Sequence, residues 1–159
     1  MLRSTLRAAY SDSAMKTSAP RIADSDDEIA KCFSVMAELR THLEESSFVD
    51  TVRGMQDDGY RLAYIEDDGI VVAAAGYRIH TTLFMGRNLY VDDLVASGKS
   101  RSQGHGKTLI DWLRAVAKDS GCSYLHLDSG TQRHRAHRFY LRQGMDIASF
   151  HFSEKLDTI

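Results

Sequence analysis

Apolar residues recur in alternating blocks of helical and strand spacing between residues 21 and 152. Apolar side chains at helical spacing predict four helices, over about 26–40, 44–57, 104–120 and 133–143. Alternating or continuous apolar runs predict six strands, over about 21–23, 60–66, 70–80, 89–95, 123–127 and 145–152. The predicted order, β-α-α-β-β-β-α-β-α-β, describes a mixed sheet with helices packed on its faces.

Capping and turn residues mark the ends of several predicted elements. The acidic and serine side chains at 24–26 offer caps for the first helix. Residues 67–69, Asp-Asp-Gly, are typical of a hairpin turn because Asp-Gly tolerates the positive φ that such turns require. Residues 86–88 predict a second turn. Gly121 and Gly144 are expected to end the last two helices.

The first residues differ in composition from the rest of the chain. Residues 1–19 carry three basic side chains, many small residues and one acid, Asp12. A weak organelle-targeting signal has this composition, but we favour a disordered leader, with Met15 as an alternative start. Because no repeat or linker interrupts residues 20–159, we expect them to form a single domain.

Composition and charge narrow the class of protein. The 159 residues are 43% hydrophobic and 26% charged, which excludes disorder as the dominant state. A net charge of −2 argues against nucleic acid as a main partner. The longest apolar stretch, 70–75, is too short to span a membrane. Cys32 and Cys122 form no CxxC pair, so neither a disulfide framework nor a zinc site is expected, and a cytoplasmic location fits.

A glycine-rich turn, residues 97–108, joins a predicted strand to a predicted helix. Glycines let backbone amides approach a ligand and a helix N-terminus favours anions, so a diphosphate is the expected ligand. The P-loop pattern fails because position 101 is arginine, and the dinucleotide pattern fails because its third glycine falls on Leu109. A third diphosphate-binding pattern, Arg or Gln, two residues, Gly, one residue, then Gly or Ala, is satisfied by Arg101, Gly104 and Gly106.

Three segments together carry a family resemblance. They are Val91-Asp92-Asp93-Leu94-Val95, the glycine-rich turn, and residues 136–145 (AHRFYLRQGM). With the element order, they resemble the GNAT superfamily of acetyl-CoA-dependent N-acetyltransferases over residues 20–156. Residues 133–140 and 149–152 are most similar to the aminoalkylphosphonate N-acetyltransferase branch. The resemblance implies a GNAT-like α/β (α+β) fold, in which a mixed, mostly antiparallel twisted sheet is flanked by about four helices.

The resemblance implies that acetyl-CoA is the co-substrate and that the glycine-rich turn binds it. Backbone amides of residues 103–107 would hold the pyrophosphate, with Arg101 opening the loop and Thr108 adding a hydroxyl contact. The chain departs from the family pattern at Ser102 and His105, but binding through backbone amides tolerates such changes.

The resemblance also implies that strand 89–95 carries a bulge and separates from the fifth strand. The pantetheine arm would enter the gap and bond the backbone of 94–96, where a freed amide would polarise the thioester carbonyl. The predicted cofactor-binding residues are Leu94, Val95, Ala96, Arg101, Ser102, Gln103, Gly104, His105, Gly106, Lys107 and Thr108.

Tyr140, Asp92 and Asp93 are the predicted catalytic residues. Tyr140 would give a proton to the leaving thiolate; the alternative is a packing tyrosine, although the buried stripe already takes Phe139. Asp92 and Asp93 are candidate bases, but strand alternation puts them on opposite faces unless the bulge intervenes. Burial must raise the pKa of an aspartate that acts as a base at neutral pH; otherwise its role is to hold the ammonium group. This choice stays open.

The acceptor is expected to bind between the first two helices, their connection and residues 81–88. Arg40 and His42 are the predicted substrate-binding residues, for an anionic group such as a carboxylate or phosphonate; the alternative is a solvated loop. His134 and His137 lie three residues apart on a helix and could chelate a metal. Three neighbouring arginines oppose a cation there, so no metal is predicted.

These observations predict an enzyme that moves an acetyl group from acetyl-CoA to a primary amine of a small molecule, by direct attack in a ternary complex. The alternatives are a protein N-terminal or lysine acetyltransferase and a non-catalytic acyl-CoA sensor. Residues 21–93 carry 7 basic and 15 acidic side chains and residues 94–159 carry 10 and 6, which suits a cationic amine and coenzyme A phosphates respectively. The apolar segment 145–152 could pair across subunits, which suggests a homodimer.

Overall fold

The computed structural model describes residues 18–100 and 102–157, which form five strands and five α-helices, where six strands and four helices were predicted. Residues 1–17 of the predicted leader and Arg101 lie outside the described residues. The elements are β1 (Arg21–Ile22), α1 (Asp26–Lys31), α2 (Phe33–Leu39), α3 (Glu45–Asp57), β2 (Arg61–Asp67), β3 (Ile70–Thr82), β4 (Gly86–Ala96), α4 (His105–Asp119), β5 (Tyr124–Leu127) and α5 (His134–Arg142).

One five-stranded sheet, in the order β1-β2-β3-β4-β5, organises the chain. The first four strands pair antiparallel and β4 pairs parallel with β5, which confirms the predicted mixed, mostly antiparallel sheet. Alternation along β2 builds both sides of the core, because Leu62 and Tyr64 pack with α1–α3 while Ala63 and Ile65 pack with α4. β3 is buried on both faces over much of its length, as its continuous apolar run predicts.

The first predicted helix is divided in two at Cys32. Ser25 caps α1 in a capping box with Glu28, whose side chain accepts a hydrogen bond from the Ser25 N–H at 3.0 Å. At Cys32 the backbone N–H bonds the Ile29 carbonyl at 2.9 Å, and the thiol donates to the Glu28 carbonyl at 3.3 Å. This tighter turn separates α1 from α2, so the prediction of one helix over 26–40 is wrong at this point.

The hairpin between β3 and β4 turns earlier than predicted. Residues 83–85 form the turn, and Gly86, with φ +65°, begins β4. Asn88, expected in the turn, is instead fully buried in the strand, where its amide donates to the Gly86 carbonyl at 2.9 Å. The apolar residues Leu83 and Phe84 are exposed at the tip, which is why hydropathy alone misplaced the turn.

The last predicted strand, 145–152, is wrong for this structure. The segment has no strand pairing, and Phe150 and Phe152 are exposed. Its alternating apolar residues indicate a preference for strand geometry, but a strand also needs a neighbour to complete its hydrogen bonds. Without that neighbour, β5 is the edge of the sheet.

Among residues 18–100 and 102–157, no helix is both long and apolar enough to cross a membrane. The same residues bring together no group of three His, Cys, Asp or Glu side chains that could hold a metal ion.

Candidate active site

The strands β4 and β5 part at a bulge in the middle of β4. Gly76 of β3 faces Asp93 and Tyr77 faces Val91, so Asp92 is the extra residue on β4. β5 pairs with β4 only as far as Val91, and no strand of the described residues pairs with the rest of β4 on that side. The expected bulge and the expected separation of the two strands are thereby confirmed.

A cavity of about 440 Å³ opens where the two strands part. Its walls come from the end of α2, the bulged part of β4, the residues after β5, and α5. The lining residues are Leu39, Arg40, Val91, Asp92, Leu94, Leu127, Asp128, Ser129, Gly130, Gln132, Arg133 and Tyr140.

The cavity brings together four of the residues predicted from sequence. Tyr140, Asp92, Leu94 and Arg40 line it. The other predicted residues that the structure describes lie outside the lining: Asp93, Val95, Ala96, His42 and residues 102–108. His42 is exposed, and the hairpin tip at 83–85 also contributes nothing to the lining.

The side chain of Asp93 is held within the protein. It is 8% exposed, and its two oxygens accept hydrogen bonds from Arg40 Nε at 2.8 Å and from the Tyr60 hydroxyl at 3.0 Å. Burial, together with the nearby Asp93 charge, raises the pKa of Tyr60, so its phenol stays a donor. Asp93 therefore ties α2 and the start of β2 to the bulge.

Asp92 lines the cavity, and its carboxylate has a different partner from that of Asp93. Arg78 Nε lies 3.2 and 3.3 Å from its two carboxylate oxygens. Burial raises the pKa of Asp92, and Arg78 opposes that rise. A carboxyl whose pKa is raised is a better proton acceptor near neutral pH than an ordinary aspartate.

Tyr140 reaches the cavity from α5. Its neighbour Phe139 packs next to α4. The Phe139 ring lies 3.4 Å from the position that a β-carbon at Gly106 of α4 would occupy. Burial raises the pKa of Tyr140, with Arg133 opposing the rise. The phenol therefore keeps its proton through the neutral range and can donate it inside the cavity.

The glycine-rich turn ends at the N-terminus of α4. Gly104, with φ +85°, precedes the helix, and Ser102 also has a positive φ of 73°. The Thr108 hydroxyl donates to the Gly104 carbonyl at 3.2 Å, and Lys107 pairs with Asp111. Because Lys107 and Thr108 already have partners inside the helix, the groups that the first turn of α4 offers an anion are its backbone amides.

Glu38, which the sequence did not single out, anchors the start of this turn. From the end of α2 its carboxylate accepts hydrogen bonds from the Ser97 hydroxyl at 3.0 Å and from the Gly98 N–H at 2.8 Å. Arg40 thus attaches the end of α2 to β4, and Glu38 attaches α2 to the residues that follow β4. No sequence signal could identify this role, because the contact joins residues 60 positions apart.

Comparison with known proteins gives consistent results. A family model described as the acetyltransferase (GNAT) family matches residues 24–145. The chain is 32% identical over 130 residues to YhdJ of Bacillus subtilis, an uncharacterized N-acetyltransferase, covering 80% of this chain and 92% of that protein. It is 29% identical over 99 residues to the aminoalkylphosphonate N-acetyltransferase of Salmonella typhimurium, covering 61% of this chain and 62% of that enzyme.

The fold recurs in solved structures. The crystal structure of the ribosomal-protein-alanine N-acetyltransferase from Brucella melitensis superposes with a TM-score of 0.75, covering 87% of this chain and all of that chain at 16% identity, which shows a shared fold alone. The family match runs from before α1 to just after α5 and so includes the bulge, the cavity and the glycine-rich turn. The chain therefore belongs to the acetyltransferase (GNAT) family and is an N-acetyltransferase.

Proposed function

We propose that the protein transfers an acetyl group from acetyl-CoA to a primary amine of a small molecule by direct attack in a ternary complex. The observation that carries this proposal is the cavity at the parted strands. Asp92 and Tyr140, a carboxylate with a raised pKa and a protonated phenol, both line it. The GNAT membership supports acetyl-CoA as the acetyl donor.

The chemistry requires the acceptor nitrogen to lose two protons and the leaving thiolate to gain one. The ammonium group of the acceptor loses a proton, and its nitrogen then attacks the thioester carbonyl carbon. A C–N bond forms, the C–S bond breaks, and the nitrogen loses a second proton as the amide forms. The coenzyme A thiolate takes a proton from Tyr140, and the second proton from the nitrogen restores the Tyr140 phenol through water. The first proton passes to Asp92 and then to solvent, so the products are the acetylated amine, free thiol and one proton.

Asp92 is the better candidate for the proton acceptor. Asp93 is buried, and its carboxylate already accepts bonds from Arg40 and Tyr60. Asp92 lines the cavity and can receive a proton from the amine directly or through a water molecule. The two adjacent aspartates at the bulge thus have different roles, Asp93 a structural one and Asp92 a reactive one.

A cysteine nucleophile is not needed and the structure does not favour one. Burial raises the pKa of the Cys32 thiol to about 12, so the thiolate is scarce at neutral pH. Direct transfer requires only that both substrates occupy the cavity together, with the thioester between Asp92 and Tyr140.

Acetyl-CoA fits the parted strands and the α4 N-terminus. The free edge of β4 beyond Val91 offers backbone groups to the pantetheine arm, and first-turn amides after Gly104 suit the pyrophosphate. Arg101 remains a predicted contact that lies outside the described residues. The acceptor class, a cytoplasmic location and a homodimer likewise remain predictions.

Replacing Glu38 with alanine is expected to raise the KM for acetyl-CoA by about 3- to 10-fold, with kcat nearly unchanged. The reason is that the Ser97 hydroxyl and Gly98 N–H lose the carboxylate that holds the start of the glycine-rich turn. Steady-state kinetics with acetyl-CoA varied measures the effect, and Glu45→Ala on the exposed start of α3 is the matched control. An unchanged KM would show that the turn holds its shape without Glu38.

The proposed function is tested by thiol release from acetyl-CoA with an acceptor panel. The panel contains aminoalkylphosphonates, the class named for the Salmonella relative, with polyamines, aminoglycosides, amino acids and peptides with free N-termini. Release that depends on a small amine is the expected result. Release with peptides alone would favour a protein acetyltransferase, and acetyl-CoA binding by calorimetry without release would favour a sensor.

A further inference from the structure

The carboxylates around the cavity differ in how far their charge is already neutralised. Asp92 is paired with Arg78, and Asp93 is paired with Arg40. Asp128, which follows β5 and lines the same cavity, pairs with no arginine or lysine within the described residues. Of these three carboxylates, Asp128 is therefore the one available to pair with a cationic ligand in the cavity.

Two neutral or conditionally charged groups contact Asp128. The Tyr90 hydroxyl donates to Oδ2 at 2.9 Å, and His151 Nδ1 lies 3.5 Å from the same oxygen, a pairing that carries charge only when the histidine is protonated. The other oxygen, Oδ1, accepts no hydrogen bond from any group in residues 18–100 and 102–157. One face of the carboxylate is therefore held and the other is open.

A structural role in the loop does not account for Asp128. An aspartate that caps a turn accepts a hydrogen bond from a backbone N–H. No backbone N–H in the described part of the chain donates to the Asp128 side chain. The loop that follows is closed instead by the Arg133 N–H, which bonds the Gly130 carbonyl at 2.9 Å. The Asp128 side chain is 43% exposed, so a ligand in the cavity can reach it.

Tyr90 is well placed to hold Asp128 in one orientation. Its ring packs against His126 at 5.1 Å between centroids, and β4 fixes its backbone beside β5. Burial and the bond to Asp128 raise the pKa of Tyr90 to about 12, so the phenol remains a donor at any ordinary pH. The arrangement orients a carboxylate without cancelling its charge.

We infer that Asp128 is a substrate-binding residue whose carboxylate binds the protonated amine of the acceptor, with Tyr90 as its positioning residue. This inference rests on the proposed function and narrows the acceptor to amines that arrive as cations. The ammonium group donates to the open oxygen of Asp128 and is held in the cavity that Asp92 and Tyr140 also line. The proton that must leave before attack then has Asp92 as a nearby acceptor.

The test is acetyl transfer by Asp128→Asn, with 2-aminoethylphosphonate, putrescine and the fastest acceptor of the panel as probes. The amide keeps the shape and removes the charge, so we expect the KM for the amine to rise about 10- to 100-fold. Acetyl-CoA affinity, measured by calorimetry, should stay within twofold. Tyr90→Phe should raise the amine KM less, in the same direction, and Asp128→Glu should restore part of the lost affinity.

The control is Asp50→Asn, which removes one exposed carboxylate from α3 and should leave every constant unchanged. An unchanged amine KM in Asp128→Asn overturns the inference, and so does an equal rise in the KM for acetyl-CoA. If the wild-type protein releases no thiol with any amine, the proposed function fails and the inference fails with it. If the wild type is active and Asp128→Asn matches it, only the inference fails.

Discussion

Replacing Tyr140 with phenylalanine is expected to lower kcat by about 100-fold or more, because general acid catalysis typically contributes that much. The change removes one hydroxyl and leaves the ring that lines the cavity. The thiolate must then leave without a positioned proton donor. Since burial raises the pKa of Tyr140, the phenol is protonated throughout the neutral range. The fall in kcat should therefore be the same at every pH in that range.

Acetyl-CoA affinity separates this chemical effect from loss of binding. Calorimetric binding of acetyl-CoA to Tyr140→Phe should match the wild type while single-turnover acetyl transfer slows. Tyr124→Phe is the matched control, since Tyr124 is half exposed on β5 and lies outside the cavity. Turnover within threefold of the wild type would assign Tyr140 a packing role and leave the proton donor to be found elsewhere.

The residues of the fold that were easiest to predict are those whose burial is periodic. On α4, Leu109, Ile110 and Leu113 recur at helical spacing, and all are fully buried. The break at Cys32 was harder, because it depends on one tighter backbone hydrogen bond and one thiol donor. Residues 145–152 could not be predicted correctly from their pattern alone. The pattern favours strand geometry, but a strand forms only where another strand pairs with it.

The residues of the candidate site likewise include some that could be predicted from the sequence and some that could not. Tyr140 and the two adjacent aspartates could be selected from sequence, through their place in recognisable motifs. Which aspartate faces the cavity could not, because the answer depends on Arg40 and Tyr60, which lie 53 and 33 positions from Asp93. Asp128 could not be selected for a related reason: its significance is that no arginine or lysine of residues 18–100 and 102–157 pairs with it, and the fold decides such pairing.

A glycine on the neighbouring strand faces the bulge that carries the two aspartates. Gly76 of β3 faces Asp93, and the Tyr60 side chain occupies the space where a β-carbon would stand. A methyl group at Gly76 would lie within 2.5 Å of Tyr60 Cε2 and closer still to Cζ and the hydroxyl. Tyr60 is fully buried, so its ring has little room to move aside.

Gly76→Ala is therefore expected to destabilise the protein by about 2 to 5 kcal/mol, combining overpacking with loss of the Tyr60–Asp93 hydrogen bond. In a domain of this size that corresponds to a fall in Tm of roughly 5 to 15 °C. Thermal and urea unfolding followed by circular dichroism measure it. Gly54→Ala is the matched control: no atom lies within 4 Å of the added methyl, and alanine inside α3 should stabilise by about 0.5 to 1 kcal/mol.

A double-mutant cycle shows whether Tyr60 is the cause. In a Tyr60→Phe background the hydroxyl that crowds Gly76 most closely is gone and the hydrogen bond to Asp93 is already lost. The cost of Gly76→Ala should then be smaller by at least about 1 kcal/mol. If Gly76→Ala lowered the free energy of unfolding equally in both backgrounds, the contact with Tyr60 would not be the cause of the destabilisation.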